Sequence, residues 1–263
     1  MQHILLNPDA WIAFLTLVFL EVVLGIDNII FLSIMSNNAP EPQRAKVRNL
    51  GLLLAMVGRI ALLFGVSLLI KLTQPLLTLT SEWMSVTING QSIIMLLGGL
   101  FLLYKSVNEI HHKLEAKDNT PSMKPKVGSI AMIIVQLLLL DLVFSVDSVL
   151  TAIGMVSFTT FGYTGALAIM ITAIVVTIMI MLFFSASVSK FVNNHLTVQM
   201  LALAFLILIG VTLLVEAGHL AHLTILGNPI AEIPKGYIYF AILFSLSVEV
   251  LNLRMKKKID ANT

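Results

Sequence analysis

Glu21-Val-Val-Leu-Gly-Ile-Asp27-Asn28 and Asp141-Leu-Val-Phe-Ser-Val-Asp147-Ser148 repeat one pattern: an acid, five residues, a second acid, then a small polar residue. Both copies sit inside long apolar runs. A carboxylate at the centre of a membrane helix costs on the order of 2.5 to 3.5 kcal/mol on insertion scales, so four of them need a partner or a use. With Asn28 and Ser148 they make an all-oxygen ligand set, without a mid-span histidine and without any thiolate, since the chain has no cysteine. Such a set suits a hard divalent cation such as Mg²⁺, Ca²⁺ or Mn²⁺, whereas zinc and copper sites recruit His or Cys. Spacing does not choose among the three. Crowded like charges also raise carboxylate proton affinity, so exchange of protons for the cation is a natural hypothesis.

Arg59 is the one cation deep within an apolar run. The reading pairs it with one of the acids, either as a fixed counter-ion or as an occupant of the site when the cation is absent. One arginine does not neutralise four carboxylates. On an ideal helix turning about 100° per residue, Glu21 and Asn28 share a face while Asp27 lies roughly 120° away. Gly25 therefore marks an expected break, where a tight or unwound turn realigns the backbone and frees carbonyls as ligands. No glycine separates Asp141 from Asp147, so the same expectation is weaker there.

The elements that position these groups are membrane helices. Of 263 residues, 58% are hydrophobic and 11% charged, against about a quarter charged in a soluble domain. Runs of roughly 20 apolar residues, the length that crosses a bilayer, fall at about 10–34, 50–70, 86–104, 129–153, 163–188, 197–217 and 237–252. The expected fold is all-α, a polytopic membrane helix bundle of about seven transmembrane helices. The N-terminus lacks the basic region of a secretory signal, so the first run is expected to remain as a helix. Gly154–Gly162 reads as a tight turn between antiparallel helices, and Trp11, Trp83, Tyr237 and Tyr239 near span ends fit an aromatic belt.

Lys and Arg concentrate on one side: Arg44, Lys46, Arg48, Lys105, Lys113, Lys117, Lys124, Lys126, Lys190, Arg254, Lys256, Lys257 and Lys258, against Lys71 and Lys235 on the other. The positive-inside rule then places the N-terminus outside and the C-terminus in the cytoplasm. A net charge of +2 distributed this way orients a membrane protein and does not mark a nucleic-acid binder. The expected partners are the lipid bilayer and a metal cation; a homo-oligomer is compatible with the sequence, which does not set the number of copies. No covalently bound cofactor is expected.

The halves also match at Gly99-Leu-Phe-Leu-Leu and Gly210-Val-Thr-Leu-Leu, with His111 and His222 at equal offsets. Within a single transmembrane domain over 1–254, repeat one is expected at about 10–104 and repeat two at about 129–217, with an extra helix at 237–252. Three spans per repeat make the two copies inverted, an architecture of secondary transporters with the substrate near the midplane. Residues 105–127 read as a cytoplasmic linker and 255–263 as a basic cytoplasmic tail. His111 and His112 in the linker read as a solvated face, Glu216, His219 and His222 as a wet interface, and Glu249 with Arg254 as an interfacial ion pair.

Asn7-Pro-Asp-Ala-Trp11, Leu20-Glu-Val-Val-Leu-Gly-Ile-Asp-Asn-Ile-Ile30, Gly98-Gly-Leu-Phe-Leu-Leu-Tyr-Lys105, Leu140-Asp-Leu-Val-Phe-Ser-Val-Asp-Ser148 and Ile233-Pro-Lys-Gly-Tyr-Ile-Tyr-Phe240 strongly resemble the TerC family of membrane proteins, over about residues 7–254. That family is named for tellurite resistance and belongs with the LysE-like transporters. The resemblance implies a bacterial inner-membrane protein, short and membrane-only, exporting a divalent cation, most strongly manganese, with Glu21, Asp27, Asp141 and Asp147 in metal handling and Asn28 and Ser148 completing the signature. The alternative is a non-transporting membrane partner or scaffold in a metal or tellurium resistance assembly. No enzyme is expected: intramembrane aspartyl hydrolysis wants a Gly-x-Gly-Asp signature, which neither motif has.

Overall fold

A computed structural model describes residues 7–37, 39–65, 71–81, 83–115 and 130–260, apart from the side chains of Leu24, Ile26, Asp27, Asn28, Glu115, Asp147, Lys235 and residues 256–260. The elements in chain order are α1 (Pro8–Leu24), α2 (Ile26–Ser36), α3 (Glu41–Phe64), β1 (Pro75–Thr80), β2 (Met84–Asn89), α4 (Gly90–Glu115), α5 (Ile130–Met155), α6 (Phe158–Asn194), α7 (Leu196–Leu220), β3 (Thr224–Ile225), β4 (Asn228–Pro229) and α8 (Lys235–Asp260). This is an all-α membrane architecture with one small sheet. Among the described residues, six helices (α3 to α8) are long and apolar enough to cross a membrane. The first apolar run is instead divided in two at Gly25.

The chain forms two compact units, Met1–Gln74 with Met123–Lys190, and Pro75–Ser122 with Phe191–Thr263. In the first, α1 starts on Asn7, whose Oδ1 accepts from the Asp9 amide at 3.0 Å, with Pro8 in the first turn; both are standard devices for satisfying the free amides of a helix start. At Gly25 the ladder tightens: its amide donates to Val22 O at 3.2 Å, and the Ile29 amide donates to Gly25 O at 3.1 Å. The break expected between Glu21 and Asp27 is present. By contrast, α5 runs unbroken through Asp141 and Asp147.

A Cβ at residue 25 would stand 2.8 Å from the Glu21 carbonyl oxygen, and the side chain of Met181 packs into the same notch. Its Cε fills the space a Cβ would need, and its Sδ lies 3.1 Å from that position. Eight residues further along both segments, Ser33 Oγ donates to Ser189 Oγ at 2.8 Å, both side chains being buried. Hydrocarbon gives no hydrophobic drive between helices, so close contacts and buried hydrogen bonds of this kind hold such units together.

Several expected boundaries shift. Helix α3 begins at Glu41, ahead of the expected start near 50, so Arg44, Lys46 and Arg48 are helical; Pro40 at the N-cap and Glu41 in the first turn start it there, where an acid meets the positive helix end. Residues 66–70 of the second run lie outside the described residues. The turn before α6 is confined to Val156 and Ser157, with Ser157 Oγ accepting from the Thr160 amide at 3.2 Å. Gly162, with φ 67°, kinks α6 soon after it begins.

The second unit contains what the sequence reading did not anticipate. Residues 75–80 and 84–89 pair as an antiparallel hairpin, extended by β3 and β4 in the order β1-β2-β3-β4, so residues 86–89 are strand and not the start of the third span. Asn89 joins this sheet to two helices: its Oδ1 accepts from the Ser92 amide at 2.7 Å at the start of α4, and its Nδ2 donates to Leu220 O at 2.7 Å at the end of α7. Helix α4 continues to Glu115, so the first part of the expected 105–127 linker is helical, with Lys105 and Glu109 paired at 4.0 Å; 116–127 lie outside the described residues. Helix α8 likewise continues through 255–260 of the expected tail.

Where α4 meets α7, the glycines matched between the two halves touch each other. A Cβ on Gly99 would stand 2.9 Å from Gly210 O and 2.9 Å from Leu214 Cδ2; a Cβ on Gly210 would stand 3.0 Å from Leu103 Cδ2 and 3.2 Å from Gly99 O. The contact is reciprocal, since each glycine meets the other and the leucine four residues beyond it. Small residues here let two backbones approach closely.

Candidate cation site and its arginine

Three helices of the first unit bring three charged side chains together: Glu21 from α1, Arg59 from α3 and Asp141 from α5. Arg59 Nη1 pairs with Glu21 Oε2, and Arg59 Nη2 donates to Asp141 Oδ1 at 2.7 Å. Arg59 Nε lies 3.5 Å from Asp141 Oδ2, and Ser145 Oγ donates to that same oxygen at 3.1 Å. Arg59 is 4% exposed and Glu21 6%. A planar guanidinium presents donors in several directions at once, so one arginine bridges two carboxylates where a lysine ammonium offers a single point charge.

The pairing is specific in a way that the motif alone does not dictate. Arg59 holds the first acid of each copy, one from each half of the chain. The sequence reading expected one acid partner; there are two. The group carries two negative charges and one positive. Among the described residues, no three His, Cys, Asp or Glu side chains gather closely enough to hold a metal ion. The side chains of the second acids, Asp27 and Asp147, and of Asn28 lie outside the described ones; their backbones are helical, on α2 and α5. Ser148 is buried and its hydroxyl donates to the Ser145 carbonyl at 3.4 Å.

Ser145 is a functional candidate that the sequence reading passed over. It occupies the same place in the second motif that Gly25 holds in the first, and that alignment was the available signal. Where the first copy breaks its helix, the second keeps the helix and places a hydroxyl on its own acid.

The integral membrane protein TerC family model matches residues 6–263. The chain belongs to the TerC family. It is 44% identical over 252 residues to the UPF0053 inner membrane protein YgdQ of Escherichia coli K12, covering 96% of each chain. It is 42% identical over 251 residues to a UPF0053 protein of Haemophilus influenzae, covering 95% of this chain and 96% of the relative. A longer relative, the UPF0053 inner membrane protein YoaE of Escherichia coli K12, is 41% identical over 251 residues that make up 44% of its length. No solved structure matches the chain.

Proposed function

We propose that this TerC protein is a multi-pass transporter of the bacterial inner membrane that exports a divalent metal cation, most strongly Mn²⁺, by alternating access in exchange for protons. The observation that carries the reading is the convergence of the first acids of two matched motifs on one buried arginine. Carboxylates are costly to hold in a membrane, and two copies of the pattern from opposite halves of a chain are what a shared midplane site requires. The reciprocal Gly99–Gly210 contact supports the inverted repeat, because residues related by a two-fold axis meet each other's counterparts. The printed names of the relatives support the inner membrane, and the Lys and Arg bias supports an outside N-terminus and a cytoplasmic C-terminus.

In this reading Arg59 pairs with Glu21 and Asp141 while the cation is absent. The transported ion would be held by the acids Glu21, Asp27, Asp141 and Asp147 with Asn28 and Ser148, and Arg59 must yield the first acids for all four to serve. The second reading, a non-transporting partner whose acids are fixed ion pairs, is favoured by Arg59 holding both first acids. Neutralising Asp27 and Asp147 separates the two. With Asp27→Asn or Asp147→Asn at normal membrane abundance, the transporter loses manganese tolerance and cellular Mn²⁺ rises; an unchanged metal content in both variants refutes export.

A further inference from the structure

Helix α6 carries two groups that the acidic motifs do not account for. Thr177 is wholly buried, and its hydroxyl has no hydrogen-bond partner among the described residues. That is unusual for a helical threonine: Thr16, Thr172 and Thr212 all donate to the carbonyl four residues earlier, the ordinary resolution for such a side chain. A buried polar group without a partner leaves its desolvation cost uncompensated. One turn along α6, Met181 presses its thioether into the notch at Gly25, where the α1–α2 helix is interrupted.

The two segments run in step, since Gly25 lies against Met181 and, eight residues on, Ser33 bonds Ser189. One turn back from Met181 is Thr177, and one turn back from Gly25 is Glu21. Residues four apart on a helix share a face, so the orphan hydroxyl and the thioether lie on one face of α6, the face whose Met181 meets Gly25. An oxygen donor and a sulfur donor thus share the α6 face that meets the first motif between its two acids, at Gly25.

We propose that Thr177 Oγ1 and Met181 Sδ are further ligands of the transported cation, and that the thioether biases the site toward a transition-metal divalent cation over Mg²⁺ and Ca²⁺. The proposal rests on the transport reading. Hard Mg²⁺ and Ca²⁺ take oxygen ligands, whereas thioethers favour softer ions; a mixed set of carboxylates, one hydroxyl and one thioether keeps the charge that any divalent cation needs while disfavouring the hardest. The acids alone do not make that distinction.

The test uses the full chain in proteoliposomes, measuring Mn²⁺ uptake alone and in competition with Ca²⁺ or Mg²⁺. Met181→Leu keeps the bulk in the Gly25 notch and removes the sulfur; it is expected to reduce the preference for Mn²⁺ over Ca²⁺ about tenfold while flux persists. Thr177→Val is expected to raise the KM for Mn²⁺ about tenfold, and Thr177→Ser to restore it. Because the two positions are independent, the test stands if one variant fails to accumulate. Wild-type flux with Met181→Leu and Thr177→Val both retaining wild-type preference and KM overturns the α6 assignment alone. Wild-type protein that moves none of the three cations overturns the transport reading, and this inference with it.

Discussion

Replacing Arg59 by leucine removes the only positive charge among these three paired side chains and leaves the Glu21 and Asp141 carboxylates facing each other without a counter-ion. Breaking a buried pair by deleting one partner costs about 3–5 kcal/mol, and here one deletion strands two acids, with only the Ser145 hydroxyl left on Asp141. For a chain of this size each kcal/mol corresponds to roughly 2–4 °C in Tm, so Arg59→Leu is expected to lower the melting temperature of the detergent-solubilised protein by roughly 6–20 °C. Arg59→Lys should fall between, since the ammonium keeps the charge but does not reach both acids with a planar fork. The decisive comparison is Arg59→Leu combined with Glu21→Gln and Asp141→Asn. If the loss comes from stranded charge, the triple variant melts above the single one; if it comes from lost packing, the triple variant is no better. A single variant that melts with the wild type, or a triple variant that gains nothing, refutes the electrostatic account.

Gly25→Ala is expected to destabilise by about 1–3 kcal/mol through overpacking, because the new methyl meets both Met181 and the Glu21 carbonyl; Met181→Ala should recover only the side-chain part, read as a partial return of Tm. Gly99→Val and Gly210→Val each force α4 and α7 apart at the same crossing, so the two are expected to lower Tm to a similar extent, and one tolerated variant beside one damaging variant would count against the reciprocal geometry. Since the chain has no native cysteine, single cysteines report its orientation directly. Cysteines at Ser122 and Asn262 should react with a membrane-impermeant maleimide only from the cytoplasm, and one at Asn228 only from outside.

Much of the site was legible before any coordinates, for reasons that belong to individual residues. A glycine between two acids in an apolar run predicts a weak point in the helix, and α1 does end at Leu24. The structure added what packs against that break: the Met181 side chain occupies the notch, a neighbour from more than 150 positions away in the chain. The end of the hairpin, residues 86–89, reads as part of the third apolar run because β-branched and aliphatic residues raise hydropathy in strands and membrane helices alike; pairing of β2 with β3, from far along the chain, separates the two cases. Helix α3 was cut short at its start because charged residues end an apolar run without ending a helix, whose first turns tolerate them outside the hydrocarbon.

The sequence by itself determined that this is a membrane protein, which family it resembles, and which polar groups require an explanation, because a charge in hydrocarbon is costly in any fold. Only the tertiary structure decided how those charges are shared. Arg59 stands 38 residues from Glu21 and 82 from Asp141 in the chain, and a helix periodicity carries no information about which distant side chains will lie within hydrogen-bond reach. Packing made that choice, drawing one acid from each half onto a single guanidinium.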